Sequence, residues 1–292
     1  MHLQTIDHIV IAVDDVAKAR EPLERLGLTL TPVMTHGDGA TRNTVFFAGN
    51  ETTEFYVELL GIADPEAASA SPRGQALKRT LERGGGAHSI MLSTEDLASA
   101  RGSLAALPGG FDESTVTRAD GSVIATVLRP ADPSSAGCPF GVIVYAERLE
   151  VRRTRHRDAG LFANPLGIRR MDHLAAVVHD LEAATRVWNA VLGVPTFGQV
   201  RGTGMVIQQM KVGDAILEFL GPDGPESRIL QRPPGLAAMA AFEVADVQAA
   251  VAHARSRGFS PGDPGPGPLP GTHVATIPAA ELGFGLQLLQ YV

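Results

Sequence analysis

Ile6-Asp7-His8-Ile9-Val10-Ile11-Ala12-Val13-Asp14-Asp15-Val16 is answered by Met171-Asp172-His173-Leu174-Ala175-Ala176-Val177-Val178-His179-Asp180-Leu181. Each stretch runs from an Asp-His pair through apolar residues into an acidic turn that can cap a helix. A helix-like segment then ends in Leu-Gly, at Leu26-Gly27 and Leu192-Gly193. An apolar strand later carries one carboxylate: Glu58 within 55–61 and Glu218 within 215–221. A repeat of this kind constrains the architecture ahead of any propensity argument.

Two further copies open at His88-Ser89-Ile90-Met91 and at Met239-Ala240-Ala241-Phe242. Each copy predicts an alternating strand, a capped Ala-rich helix and three more strands separated by Gly, Asp or Asn turns. In the first copy the three runs fall near Thr29–Met34, Thr44–Ala48 and Phe55–Leu60. The unit is β-α-β-β-β, four times over, which makes an α+β fold. Copies one and two span 1–150 and copies three and four span 168–292. Between them, 151–167 reads as a basic, solvated linker containing Arg152-Arg153-Thr154-Arg155-His156-Arg157.

Composition fits two globular domains of ordinary size, with 292 residues, 44% apolar and 20% charged. No apolar run approaches the roughly 20 residues of a membrane span, so no membrane partner is expected. The N-terminus enters a strand at once, which leaves no room for a signal peptide. Cys138 is the only cysteine and cannot form an internal disulfide, in keeping with a reducing cytoplasm. A dispersed net charge of −7 argues against nucleic acid. Pro261–Gly271 reads as a long surface loop. No P-loop, nucleophile triad or dinucleotide fingerprint is present, so no organic cofactor is expected.

Paired β-α-β-β-β units with His on the first strand and a carboxylate on the last resemble the vicinal oxygen chelate superfamily. That group includes glyoxalase I, methylmalonyl-CoA epimerase, extradiol dioxygenases and bleomycin-resistance proteins. Leu28-Thr29-Leu30-Thr31-Pro32 and Thr35-His36-Gly37-Asp38-Gly39-Ala40-Thr41-Arg42-Asn43 look like its glyoxalase-like branch, and Leu81–Ile90 is similar to the epimerase subgroup. The resemblance implies two cupped eight-stranded sheets, each able to hold a divalent ion (Zn, Fe, Mn, Co or Ni) from the first and last strands of its two units.

Under that resemblance the metal candidates are His8 and Glu58 in the first cup, and His173, Glu218 and Gln287 in the second, with Glu58 and Glu218 as proton-moving carboxylates. The first cup is short of donors. Ser89 takes the expected His position, seven residues before Asp96, while His88 is one residue out of register and needs a bulge to join. Tyr145 is read at the expected carboxylate position, with Glu147 two residues on. In the second cup Met239 replaces the His. The second cup therefore ranks first for a metal, because its three donors need no register shift.

His36, Asn43, His88 and Tyr145 are candidate ligand-binding residues, although Tyr145 also reads as a buried phenol with one partner. A His–Glu pair can equally satisfy itself without an ion. Trp188 and Phe242 read as core. The functional classes are a metal-dependent enzyme of glyoxalase, epimerase or dioxygenase type, a metal-free small-molecule binding or resistance protein, and a structural partner in which the cups are vestigial. Extradiol ring cleavage is disfavoured by Met239 and Gln287. A small-molecule ligand is expected in the first two cases, and a homodimer is compatible with the reading.

Overall fold

The computed structural model describes residues 2–49, 54–118, 120–202, 204–268 and 271–292. Two of the expected loop residues in Pro261–Gly271, Leu269 and Pro270, lie outside the described residues.

Two curled eight-stranded sheets form the protein. The first is built from β1 (Thr5–Ala12), β2 (Met34–Thr35), β3 (Thr41–Gly49), β4 (Glu54–Ile62), β5 (Gly86–Ser93), β6 (Phe111–Thr117), β7 (Val123–Pro130) and β8 (Phe140–Tyr145), in the order β2-β3-β4-β1-β5-β8-β7-β6. The second repeats that order with β9 (Ile168–Val177), β10 (Thr196–Gly202), β11 (Met205–Val212), β12 (Ala215–Gly221), β13 (Gly235–Val244), β14 (Gly265–Pro266), β15 (Thr272–Ile277) and β16 (Gly285–Tyr291). The helices are α1 (Val16–Leu26), α2 (Pro65–Ala70), α3 (Pro72–Leu81), α4 (Leu97–Leu104), α5 (Leu149–Asp158), α6 (Leu181–Ala190), α7 (Val247–Ser256) and α8 (Ala279–Leu282). Among the described residues no helix is long and apolar enough to cross a membrane.

The four acidic turns do what their spacing predicts. Asp15, Asp96, Asp180 and Asp246 cap α1, α4, α6 and α7, their side chains accepting from Ala17, Ser99, Ala183 and Ala249 backbone N–H groups at 2.8–3.0 Å. Each cap is worth about 1 kcal/mol. Gly27 closes α1 at φ +95°, a left-handed conformation that strains any residue with a Cβ.

Strand register carries the repeat into three dimensions. His8 pairs with Tyr56 and Val10 with Glu58, so the carboxylate stands opposite the residue two beyond the His. The third copy keeps that offset, pairing His173 with Ile216 and Ala175 with Glu218. The fourth pairs Ala241, two beyond Met239, with Gln287. In the second copy Met91, two beyond Ser89, pairs with Gly141. The carboxylate position is therefore Gly141, and the placement of Tyr145 there is corrected. Tyr145 lies four residues on, roughly 13 Å along the strand at 3.3 Å per residue. Met91 fills the vacated space: a Cβ on Gly141 would meet its Cε at 2.7 Å and its Sδ at 2.9 Å.

Two other expectations change. Thr29–Met34 is not a continuous strand. It contributes an isolated bridge from Leu30 to Phe46 and then the two-residue β2, because Pro32 lacks the N–H a ladder requires. The basic stretch read as a solvated linker is largely helix α5. Its Arg152 is 6% exposed and lies 4.0 Å from Glu54 Oε1, and His156 Nδ1 is 2.9 Å from Glu54 Oε2. Glu54 is a buried carboxylate, and burying it without cationic partners would be costly.

The chain packs as two compact units. One comprises 1–7, 89–146 and 173–237. Its centre is Trp188, fully buried, with its Nε1–H donated to Ala136 O at 2.9 Å and its ring 5.7 Å from both Phe140 and Phe219. The other comprises 8–88, 147–172 and 238–292. There Phe46 stands 6.1 Å from Phe242 and 6.4 Å from Phe284.

Candidate functional site

Strand alternation puts Glu54, Tyr56 and Glu58 on one face of β4, with His8 opposite Tyr56 on β1. His8 is 4% exposed and Glu58 8%, so both are desolvated. His8 Nε2 is 3.6 Å from Glu58 Oε2, and its ring stacks on Tyr56 at 4.2 Å between centroids. The turn between β2 and β3 delivers His36 to the other side of the carboxylate, with Nε2 3.9 Å from Oε1. That turn is tight: His36 N–H donates to Thr41 O and Gly39 N–H to His36 O, both at 2.9 Å, with Gly39 at φ +70°. Asn43 Nδ2 donates to Glu58 Oε1 at 2.6 Å. The structure thus brings together His8, His36, Asn43 and Glu58.

Helix α3 roofs one end of the same face. Its Leu77 packs with Val10, Ala12 and Leu60, which share the alternation of His8 and Glu58. From its first turn Arg73 reaches Asp38 Oδ2 at 2.8 Å and Thr41 Oγ1 at 3.1 Å. His36 Nδ1 lies 2.8 Å from the same hydroxyl.

Burial alone would push Glu58 up, but the neighbouring His8 and His36, the Asn43 hydrogen bond and the Arg73 charge outweigh it and hold the carboxyl below its usual range. Burial lowers the His36 imidazole, and Arg73 adds to this against the opposing pull of Glu58 and Asp38. The net effect is an ionised Glu58 beside a neutral His36 at neutral pH.

In the second cup, His173 Nε2 and Glu218 Oε2 are 4.0 Å apart, and Gln209 Nε2 donates to Glu218 Oε1 at 2.8 Å. Gln287 sits on β16 opposite Ala241 and Thr276. Glu58 thus has His8, His36 and Asn43 beside it, and Glu218 has His173 and Gln209.

His88 and Tyr145 each make a hydrogen bond to a neighbouring residue. His88 Nδ1 lies 2.9 Å from Thr80 Oγ1 on α3, and Tyr145 O–H donates to Asp7 Oδ2 at 2.7 Å. Glu147 pairs with Arg155 on α5. Buried Cys138, with its thiol pushed up to about 12 by desolvation, is not a nucleophile. Four residues escaped the sequence reading: Tyr56, Arg73, Thr41 and Gln209. Gln209 was accessible in principle, since it stands directly opposite Glu218 once β11 and β12 are paired.

The donors around Glu58 suit a divalent ion in kind. Their arrangement does not. The two imidazoles address opposite oxygens of one carboxylate, and one of those oxygens already accepts from Asn43. Among the described residues no three His, Cys, Asp or Glu side chains are grouped to hold an ion.

Residues 6–163 match the family model described as a glyoxalase-like domain, and 172–276 match that of the Glyoxalase/Bleomycin resistance protein/Dioxygenase superfamily. No curated protein matches. Among solved structures, a hypothetical protein from Staphylococcus aureus aligns with a TM-score of 0.67 and 13% identity over 99% of this chain and 100% of that one. A variant of 4-hydroxymandelate synthase from Streptomyces coelicolor aligns with a TM-score of 0.63 and 16% identity over 100% of this chain and 93% of that one. Methylmalonyl-CoA epimerase from Mycobacterium tuberculosis covers 43% of this chain and 90% of its own, at 20% identity and a TM-score of 0.39. At these identities the first two likenesses speak to the fold alone.

Proposed function

We propose, from the premise that this chain belongs to the glyoxalase-like domain family and with it to the vicinal oxygen chelate superfamily, that its first cup binds a small oxygen-bearing metabolite on which Glu58 moves a proton. The observation that carries this is the placement of one buried, ionised carboxylate between two imidazoles, at 3.6 and 3.9 Å. Desolvating a charge costs stability that a packed apolar residue would not. An ionised carboxylate can accept a proton from carbon next to a carbonyl, although holding it below its usual range makes it a weaker base than one tuned toward the working pH. On this reading the reaction is an isomerase or lyase step, 1–150 hold the working cup, and 168–292 hold a second cup around His173 and Glu218. No step is assigned to a metal, since the donors as arranged do not form its site.

A second reading, metal-free binding without turnover, is supported by Asn43, whose 2.6 Å hydrogen bond satisfies Glu58 with no reacting partner. Proton NMR of hydroxyacetone in deuterated buffer, with the full chain, separates the two. Proton exchange beside the carbonyl that is lost in Glu58→Gln and kept in Glu218→Gln supports the first reading. Saturation transfer without exchange supports the second. Neither signal with hydroxyacetone, pyruvate or lactate removes both. Uptake of about one equivalent of zinc, abolished by Glu58→Gln, would replace both with a metal centre.

A further inference from the structure

Thr41 is fully buried, and its hydroxyl has two polar neighbours: Arg73 Nη2 at 3.1 Å and His36 Nδ1 at 2.8 Å. A hydroxyl has one hydrogen to donate and two lone pairs to accept with, whereas a guanidinium only donates. Arg73 therefore gives a hydrogen bond to Thr41 Oγ1. The Thr41 hydrogen then has the Nδ1 lone pair of His36 as its acceptor, in competition with the Thr41 backbone carbonyl, to which a protonated His36 ring nitrogen can also donate. Left unmet in the core the hydroxyl hydrogen would carry the desolvation penalty of an unpaired donor. We infer that Arg73 and Thr41 are positioning residues that fix His36 as its Nε2–H tautomer, so that it presents a single N–H to a carbonyl or enolate oxygen of the ligand beside Glu58.

The surrounding geometry agrees. Asp38 clamps Arg73 at 2.8 Å and also accepts from Ala40 N–H at 3.1 Å, tying α3 to the turn that carries His36. Glu58 Oε1 is 3.9 Å from Nε2, beyond hydrogen-bond reach, and already accepts from Asn43. The Nε2–H is thus not consumed by Glu58. Were the proton on Nδ1 instead, a bare Nε2 lone pair would face an ionised carboxylate. Burial keeps the ring neutral, which the tautomer requires.

The inference rests on the first cup being the ligand site, and it narrows the ligand to one with a carbonyl next to a C–H bond. Glu58 takes the proton from that carbon, and the C–H electron pair moves into the carbonyl as an enolate. The developing oxyanion accepts the hydrogen bond from His36 Nε2–H. The proton on Glu58 then returns to carbon, so nothing is oxidised or reduced. A preorganised neutral donor at such an oxygen is a recurrent source of rate.

Long-range proton–nitrogen NMR on the full chain, with ¹⁵N-labelled histidine and His36 assigned by His36→Gln, reads the tautomer directly. Between pH 7 and 8 the expected pattern is a neutral ring protonated at Nε2. Thr41→Val and Arg73→Met shift it toward the Nδ1–H form or a mixture, and Thr41→Ser restores it, with backbone spectra confirming that each variant folds. A predominant Nδ1–H form or an imidazolium in the unmutated protein overturns the inference, as does an unchanged tautomer in folded Thr41→Val. The measurement needs no ligand. If it fails while hydroxyacetone exchange survives, only the role of His36 falls; if the tautomer is as expected and no ligand binds, the site reading falls.

Discussion

Tyr145 donates its phenol to Asp7 Oδ2 at 2.7 Å, and Tyr291 makes the same bond to Asp172 Oδ2 at 2.8 Å. Both tyrosines stand four residues beyond the carboxylate register position of their strand, Gly141 and Gln287. Both acceptors are the Asp of an Asp-His pair and are almost fully buried. The Asp that precedes each cup histidine is therefore part of a fixed polar contact, and the doublet in the sequence reflects two duties on opposite faces of a strand. Burial, then the charge of Asp172, pushes the Tyr291 phenol up to about 12.

Tyr145→Phe should destabilise the protein by about 1–2 kcal/mol, since it strips a hydrogen bond from a buried carboxylate. Tyr291→Phe should also destabilise, with Arg170 remaining 3.1 Å from Asp172 to compensate part of the loss. Urea unfolding of both variants checks this, and an unchanged midpoint in either would contradict it.

Acid should weaken the fold in two stages. His36 is held below its ordinary value, so the unfolded chain takes up its proton first and stability falls as pH drops below about 6.5. Glu58 is also depressed: its contribution is present above the unfolded carboxylate value of about 4.3 and is lost as pH falls through the lower folded value. Unfolding at several pH values should show the upper stage flattened in His36→Gln and the lower one flattened in Glu58→Gln. Profiles identical to the unmutated protein would reject both assignments.

Gly141→Ala should cost about 1–3 kcal/mol by driving a Cβ into Met91. Met91→Ala alone leaves a cavity. The double variant should be more stable than the sum of the two losses predicts, because the smaller residue 91 makes room for the new methyl. Strict additivity in thermal or urea melts would show that the two residues are not in contact.

Arg152→Ala should destabilise by about 3–5 kcal/mol, as expected when one side of a buried charge pairing is removed. Arg148→Ala, at the exposed start of the same helix, should change stability by less than about 0.5 kcal/mol. Similar small effects at both positions would return 151–167 to the status of a solvated linker.

Much of this molecule is written locally. The Asp caps act within three residues of themselves, and the alternation that sets His8 and Glu58 on one face needs only a strand's own period of two. Four copies of that local grammar predict two sheets with equivalent His and Glu positions, which the registers of His8 with Tyr56 and His173 with Ile216 bear out. Beyond that reach the sequence is silent. The second copy has no carboxylate to anchor its last strand, so counting placed Tyr145 where pairing places Gly141. The meeting of Arg73 with Thr41, of His36 with Glu58, and of α5 with Glu54, joins residues far apart in the chain. No periodicity encodes such meetings. They are decided when sheet pairing and helix packing bury a charge and oblige distant side chains to satisfy it.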